Sequence, residues 1–124
     1  VTIDVLESDL PGLMISVSTM LVNTNDAISG LNGVDISGLA VGDAWMGRAI
    51  VYDAGTELNT ELAGEIPGPA GGGEGFNAAR SDRDDRVAMH SGVISQDDGL
   101  VTSALTGQHR FDNPALMVRI DRTD

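Results

Sequence analysis

The sequence lacks several features that would assign a protein to a class at once. It has no cysteine, which excludes disulfides and thiolate metal sites. It has only one Trp, one Tyr and two Phe, so its core must be built from aliphatic side chains. No apolar run approaches the roughly eighteen residues that a membrane-spanning helix needs, and we predict no transmembrane segment. No secretory leader is recognisable at the amino end, and we expect that residues preceding Val1 have been removed.

Basic residues are also scarce. The chain has 7 Lys and Arg against 19 Asp and Glu, which gives a formal net charge of −12. A surface of this charge repels phosphate backbones, so nucleic acid is not a predicted partner. The simplest interpretation of the charge is solubility, and it does not by itself identify a function.

The residues that are present favour short strands separated by turns. Sixteen glycines punctuate apolar and β-branched segments, and this spacing is typical of an antiparallel β-sandwich. We predict a single all-β domain over residues 1–124 with five or six strands. The predicted strands are residues 1–6, 13–22, 44–56, 86–94 and 111–122, the last with Ala115, Met117 and either Val118 or Ile120 facing inward.

The connecting segments carry turn signals. Asn32-Gly33 is a candidate for a tight turn, and the mixed charge run at residues 81–86 is typical of a solvated turn. The glycine-rich stretch at 71–76 has no Lys after it and is interpreted as a loop rather than a phosphate-binding site. Residues 56–64 could form a short helix at most, and 100–111 a short helix or an irregular connection.

Three carboxylates lie within or next to predicted strands. Asp4 lies inside the first, Asp26 follows the second, and Asp53 ends the apolar run that begins at Ile50. Calcium binds six to eight oxygens, and carboxylates are its usual protein ligands. Acids held by three separate strands therefore suggest one calcium site, although their spacing is equally compatible with three independent surface acids.

Five segments together resemble the spondin amino-terminal domain: STMLVNTNDAISGL, YDAGTELNTE, IPGPAGGGEGF, HSGVISQDDGL and HRFDNPALMVRI. They extend over nearly the whole chain. This resemblance implies an antiparallel β-sandwich of about eight strands in the full domain, the first of which we expect to be missing here. It also implies a calcium ion at one edge, held by Asp4, Asp26 and Asp53. Because calcium takes six to eight oxygens, we expect backbone carbonyls of the strand before Asp53, near residues 49–51, to complete the shell.

The function that this resemblance implies is that of an extracellular or cell-surface module. We expect calcium to order the turns at 23–27 and 53–57 for adhesion, ligand binding or surface and filament assembly, without catalysis. Partners would be a protein or glycan at the cell surface, or further copies of the chain. The alternative is a calcium-dependent enzyme or a carbohydrate-processing accessory domain. The two imidazoles, His90 and His109, give only a weak case for a zinc site without any cysteine, and His90 is expected to hydrogen-bond a neighbouring loop.

Overall fold

A computed structural model describes residues 1–73, 75 and 86–124. Within them the chain is all-β, as predicted, with six strands in two antiparallel sheets and four 3-10 turns but no longer helix. The strands are β1 (Met14–Met20), β2 (Ala27–Asp35), β3 (Ala44–Ala49), β4 (Val51–Asp53), β5 (Ala88–Met89) and β6 (Leu116–Asp121). The 3-10 turns are Glu7–Asp9, Ala63–Glu65, Gln96–Asp98 and Gly107–His109. None of the described helices is long and apolar enough to cross a bilayer.

The larger sheet has the strand order β1-β2-β4-β5, and the smaller sheet pairs β3 with β6. The predicted single strand over 44–56 is therefore two strands that belong to different sheets. The break falls at Ile50, whose carbonyl accepts a hydrogen bond of 2.9 Å from the Ser29 hydroxyl instead of a strand hydrogen bond. This crossing carries the chain from the small sheet into the large one, and it delivers Asp53 to the rim of the large sheet.

The buried apolar core is small and aliphatic, as the shortage of aromatic residues predicts. Among the described residues its fully buried apolar members are Ala27, Ala49, Val51, Ile66 and Leu105. The Asn113 side chain pairs with the backbone of one of them: its Oδ1 accepts from the Val51 N–H at 2.9 Å, and its Nδ2 donates to the Val51 carbonyl at 2.9 Å. The Asn113 amide thus both accepts from and donates to the Val51 backbone, as a residue of a neighbouring antiparallel strand would.

Two predictions about the amino-terminal half are wrong. Residues 1–6 form no strand, because no described segment offers them a ladder of hydrogen bonds. Asn32-Gly33 is not a tight turn but a bulge inside β2, at the register shift between Ile15 and Val17 of β1. Gly33 adopts a φ of +63° there, and its N–H donates to the Ser16 hydroxyl at 2.9 Å.

The carboxyl-terminal half also departs from the predictions in detail. The strand predicted over 86–94 has only the two residues of β5, since the chain turns at Gly92, which has a φ of +94°. Of the side chains predicted to face inward in the strand at 111–122, Met117 is wrong, since it is 66% exposed, whereas Val118 and Ile120 of β6 are half-buried, as is Ala115 just before it. Of the short helix predicted over 56–64, only the last two residues are helical, as part of the 3-10 turn Ala63–Glu65. Residues 100–111 are irregular around Gly107–His109, within the range predicted. The predicted turn at 81–86 lies outside the described residues except for Arg86. In the glycine-rich stretch at 71–76, residues 74 and 76 lie outside them.

Candidate metal site

Two of the three predicted acids lie at the same rim of the large sheet. Asp26 is the last residue of the turn between β1 and β2. The Thr24 hydroxyl closes that turn by accepting the Ala27 N–H at 3.1 Å. Asp53 is the last residue of β4 and is paired across the ladder with Ala27. The sheet register therefore places the backbones of these two acids next to each other.

One carboxylate oxygen of Asp26 joins the two turns at this rim. Its Oδ2 accepts three hydrogen bonds: from the Thr56 N–H at 2.7 Å, the Thr56 hydroxyl at 2.9 Å and the Glu57 N–H at 3.0 Å. Asp26 is only 7% exposed. The turns that we expected a cation to order are thus already connected by a charge-assisted network, which is stronger than a neutral one.

The other oxygen of Asp26 has no hydrogen-bond partner. Asp26 Oδ1 is buried and unpaired, and so is Oδ1 of the preceding residue, Asn25, which is 3% exposed. The Asn25 amide is oriented by its Nδ2, which donates to the Glu65 carbonyl at 3.3 Å. Leaving a buried acceptor unsatisfied costs about 1–3 kcal/mol, and more for a charged group. Two such oxygens on consecutive residues call for an explanation.

The two residues that carry these oxygens line a cavity of about 370 Å³. Asn25 and Asp26 line it together with Thr56, Glu57 and the apolar side chains of Met20 and Ile28. Asn25 carries an amide oxygen and Asp26 a carboxylate oxygen, both hard ligands of the kind that calcium prefers. The lining therefore fits a hard cation, which would satisfy the two unpaired acceptors.

Asp53 holds the neighbouring turn. Its Oδ1 accepts the Gly55 N–H at 2.8 Å, and its Oδ2 accepts from the Asn59 side chain at 2.8 Å. Gly55 adopts a φ of +78°, and a Cβ there would overlap the Arg86 carbonyl oxygen, so the turn passes too close to that backbone for any other residue. Asp53 therefore adds negative charge to the rim while both of its oxygens hold its own turn.

The remaining predicted ligands are not gathered at this rim. Asp4 is exposed and lies in the segment that joins neither sheet. In the part of the chain that the structure describes, no three Asp, Glu, His or Cys side chains form a group that could hold a metal. The predicted backbone ligands are used elsewhere, because the Ile50 carbonyl accepts from Ser29 and the Val51 carbonyl from Asn113. Coordination by Asp4 stays a prediction.

Sequence reasoning missed Asn25. The signal was present in the NTND stretch at 23–26, since Asn supplies a calcium-binding amide oxygen next to the Asp26 carboxylate. A search restricted to carboxylates passes over such a residue. What the sequence could not show is that both oxygens are buried without a hydrogen-bond partner.

His90 has the structural role that the sequence suggests. It is 4% exposed, its Nδ1 accepts the Gly92 N–H at 2.9 Å, and its ring packs against Phe111 with centroids 5.3 Å apart. This geometry fixes the turn after β5.

Glu61 is the most unusual titratable residue of the described chain. It is 2% exposed and has a φ of +58°, which is rare for a side chain other than Gly. Burial raises its pKa, while a hydrogen bond of 3.2 Å from the Ile94 N–H opposes that rise. Its own carbonyl accepts the Ala104 N–H at 2.7 Å. Glu61 thus connects three segments, and a carboxyl this deeply buried is poorly placed to meet a substrate.

Comparison of the chain with protein-family models, with curated proteins and with solved structures returned no match. The resemblance to the spondin amino-terminal domain therefore stays a prediction. The candidate site rests on its own geometry.

Proposed function

We propose that this chain is an extracellular calcium-binding β module that acts by presenting a surface rather than by catalysis. The observation that carries this proposal is the pair of buried, unpaired oxygens, Asp26 Oδ1 and Asn25 Oδ1, on two consecutive residues that line one cavity. A cation between them converts two unsatisfied acceptors into ligands. The resemblance to the spondin amino-terminal domain independently points to calcium at the position of Asp26.

Calcium suits these residues better than other common metals. The candidate ligands are oxygens, whereas zinc and copper sites use imidazole or thiolate, and the chain has no cysteine. Magnesium demands near-ideal octahedral geometry, while calcium accepts an irregular set completed by carbonyls and water. Asp26 supplies the one negatively charged ligand of the proposed site, and Asp53 and Glu57 add negative charge nearby. Sites with few charged ligands bind calcium at about 10⁻⁴–10⁻³ M, the range of extracellular modules.

A bound cation would act on the surface around it. Asp26 already holds Thr56 and Glu57 through Oδ2, so an ion on Oδ1 would fix the same carboxylate from its other side. The result is a rigid rim formed by the turns at 23–27 and 53–57. Such a rim suits recognition of a protein or glycan at the cell surface, or assembly with further subunits, and the charge of −12 disfavours nucleic acid.

Calcium titration by calorimetry, after removal of divalent ions, tests this proposal. The key variant is Asp26→Asn, because one amide oxygen can still accept from Thr56 while the NH₂ group takes the place of the cation-binding oxygen. The matched control is Asp35→Asn, which removes the same charge at an exposed acid bonded to Ser37. We expect one calcium per chain in the wild type and in Asp35→Asn, and none in Asp26→Asn.

The control separates a defined site from the general attraction of an acidic surface. Equal weakening by Asp35→Asn and Asp26→Asn would mean that calcium binds only diffusely. Absence of binding to the wild type at millimolar calcium would reject the proposal outright. Turnover of a glycan that Asp26→Asn abolishes would favour the enzymatic alternative.

A further inference from the structure

The strand β1 has one open edge. It is the first strand in the order β1-β2-β4-β5, and no described strand pairs with its outer side. The Leu21 N–H donates to the Ala27 carbonyl, so the backbone groups of Leu21 point toward β2. Because alternate residues of an antiparallel strand point their backbone groups the same way, Thr19 faces β2, while Ser18 and Met20 direct their N–H and C=O groups outward.

This edge carries none of the usual protection against strand addition. Natural edge strands are blunted by charged side chains, by proline or by a covering segment. The sequence of β1, MISVSTM, has no charge and no proline, in a chain whose net charge is −12. Its apolar side chains are also uncovered: Met14 is 60% exposed, Val17 43% and Met20 38%.

A segment of the same chain has the alternating pattern of a strand but forms none in the described structure. Residues 1–6 alternate apolar and polar side chains, yet they are exposed throughout, with Ile3 at 68% and Leu6 at 71%. The Leu6 carbonyl is used locally, since it accepts the Asp9 N–H at 2.9 Å. The 3-10 turn Glu7–Asp9 and the following turn, closed by Leu13 N–H to the Leu10 carbonyl, separate the segment from β1.

Because β1 has an unprotected edge and residues 1–6 have an alternating sequence without a partner strand, we infer that residues 1–6 of a second copy of this chain add to the outer edge of β1. The segment has six residues, the edge has seven, and Asp4 is the only charged side chain on either, so no like charges oppose the contact. Backbone hydrogen bonds supply the affinity in this mode of recognition, and alternate side chains supply the register. The inference does not depend on the cation site.

Two variants separate the donor from the acceptor. Deletion of residues 1–6 removes the donor strand and leaves the edge intact. Ser18→Pro blocks the edge, because it removes an N–H that faces outward and not one that pairs with β2, a position at which an edge strand tolerates proline. Molecular mass is measured by light scattering over a range of concentrations, in chelator and again in calcium, with circular dichroism to confirm that each variant folds.

We expect the wild type to reach at least twice the 12.9 kDa of one chain, and each variant alone to stay at the mass of one chain. Mixing the two variants should restore a 1:1 pair, because one supplies the strand and the other the edge. A wild type that stays monomeric at all concentrations would overturn the inference. So would a deletion variant that associates as well as the wild type, which would indicate edge-to-edge pairing.

If Ser18→Pro does not fold, Ser18→Lys replaces it, since a charge on the edge opposes strand addition without removing a backbone donor. The mixture should then form the same 1:1 pair. Loss of association in chelator only would show instead that the cation site, and not the strand, joins the copies. That result would reject this inference and leave the calcium proposal standing.

Discussion

Asp26 and Thr56 are joined by two hydrogen bonds to a single carboxylate oxygen: Asp26 Oδ2 accepts both the N–H and the hydroxyl of Thr56, at 2.7 and 2.9 Å. These residues belong to different turns, thirty positions apart in the chain. Asp26 Oδ1 is buried without a hydrogen-bond partner, and Asp26 is one of the residues that line the cavity. The two oxygens of one carboxylate therefore differ: Oδ2 joins the two turns, and Oδ1 has no hydrogen bond.

Thr56→Val should weaken the connection between the two turns while it preserves the shape of the side chain. It removes the hydroxyl that donates to Asp26, and hydrogen bonds to charged groups contribute about 1.5–3 kcal/mol. We expect the free energy of unfolding, measured in urea, to fall by about that amount. Thr102→Val, at an exposed position, is the control and should change it by less than about 0.5 kcal/mol. Equal effects of the two substitutions would show that the Asp26–Thr56 bond adds no stability.

Gly55→Ala should be more damaging than its backbone angle alone explains. Its φ of +78° costs a residue with a Cβ roughly 1–2 kcal/mol, and the new Cβ would also overlap the Arg86 carbonyl oxygen. Gly12→Ala is a matched control, because Gly12 has a φ of +76° but no atom within 4 Å of the position that the new methyl group would occupy. We expect urea denaturation to show a clearly larger loss for Gly55→Ala. Equal losses would mean that the chain near Arg86 moves aside without cost.

Glu61 should make stability depend on pH in a defined direction. Burial raises its pKa in the folded state above the ordinary value of 4.5, so the folded protein binds a proton more readily than the unfolded chain. The contribution of Glu61 to stability is therefore fully present below pH 4.5 and is lost as pH rises through the raised pKa. Glu61→Gln keeps an acceptor for the Ile94 N–H and cannot ionise.

The difference in unfolding free energy between Glu61→Gln and the wild type, followed by urea denaturation from about pH 4 to about pH 8, isolates this effect. We expect the variant to gain stability relative to the wild type as pH rises. The exposed acids Asp98 and Asp121, whose pKa values are lowered by hydrogen bonds, act in the opposite direction but are common to both proteins. A difference that does not change with pH would mean that Glu61 titrates as it does in the unfolded chain.

Calcium should stabilise the fold through Asp26, with the charge of Asp53 as a second contributor. Free calcium at about a hundred times its dissociation constant adds about 2.7 kcal/mol, which for a domain of this size raises the melting temperature by on the order of 10 °C. Asp26→Asn should abolish the difference between calcium and chelator. Asp53→Asn, which keeps an acceptor for the Gly55 N–H, should reduce the difference in melting temperature between calcium and chelator. If that difference is as large as in the wild type, Asp53 only holds its own turn and does not contribute to calcium binding.

Sequence patterns predict the fold class of this chain well and its strand ends poorly. They locate β1 and β6 because β-branched and apolar runs bounded by turn residues have few alternatives. These patterns predict one continuous strand at 44–56, because nothing in the local sequence marks a break at Ile50. At that residue the carbonyl accepts a hydrogen bond from Ser29, which lies 21 residues earlier in the chain. The predicted strand at 1–6 fails for a related reason, since alternation shows that a segment can pair but not that a partner is present.

The candidate site is predicted from the sequence only in part. Asp26 and Asp53 are candidates because each follows an apolar run, and the sheet register does bring their backbones together. The role of Asn25 depends on burial and on the unpaired state of its oxygen, and its orientation is set by a contact with Glu65, forty residues away. Such long-range contacts leave no local trace in the sequence.

A crystal structure in saturating calcium, with anomalous scattering to identify the ion, tests the central claim most directly. We predict one calcium in the cavity, about 2.3–2.6 Å from Asp26 Oδ1 and Asn25 Oδ1, with the Oδ2 bonds to Thr56 and Glu57 unchanged. Water alone beside Asp26 Oδ1 at saturating calcium, or an ion bound only elsewhere on the acidic surface, would contradict it.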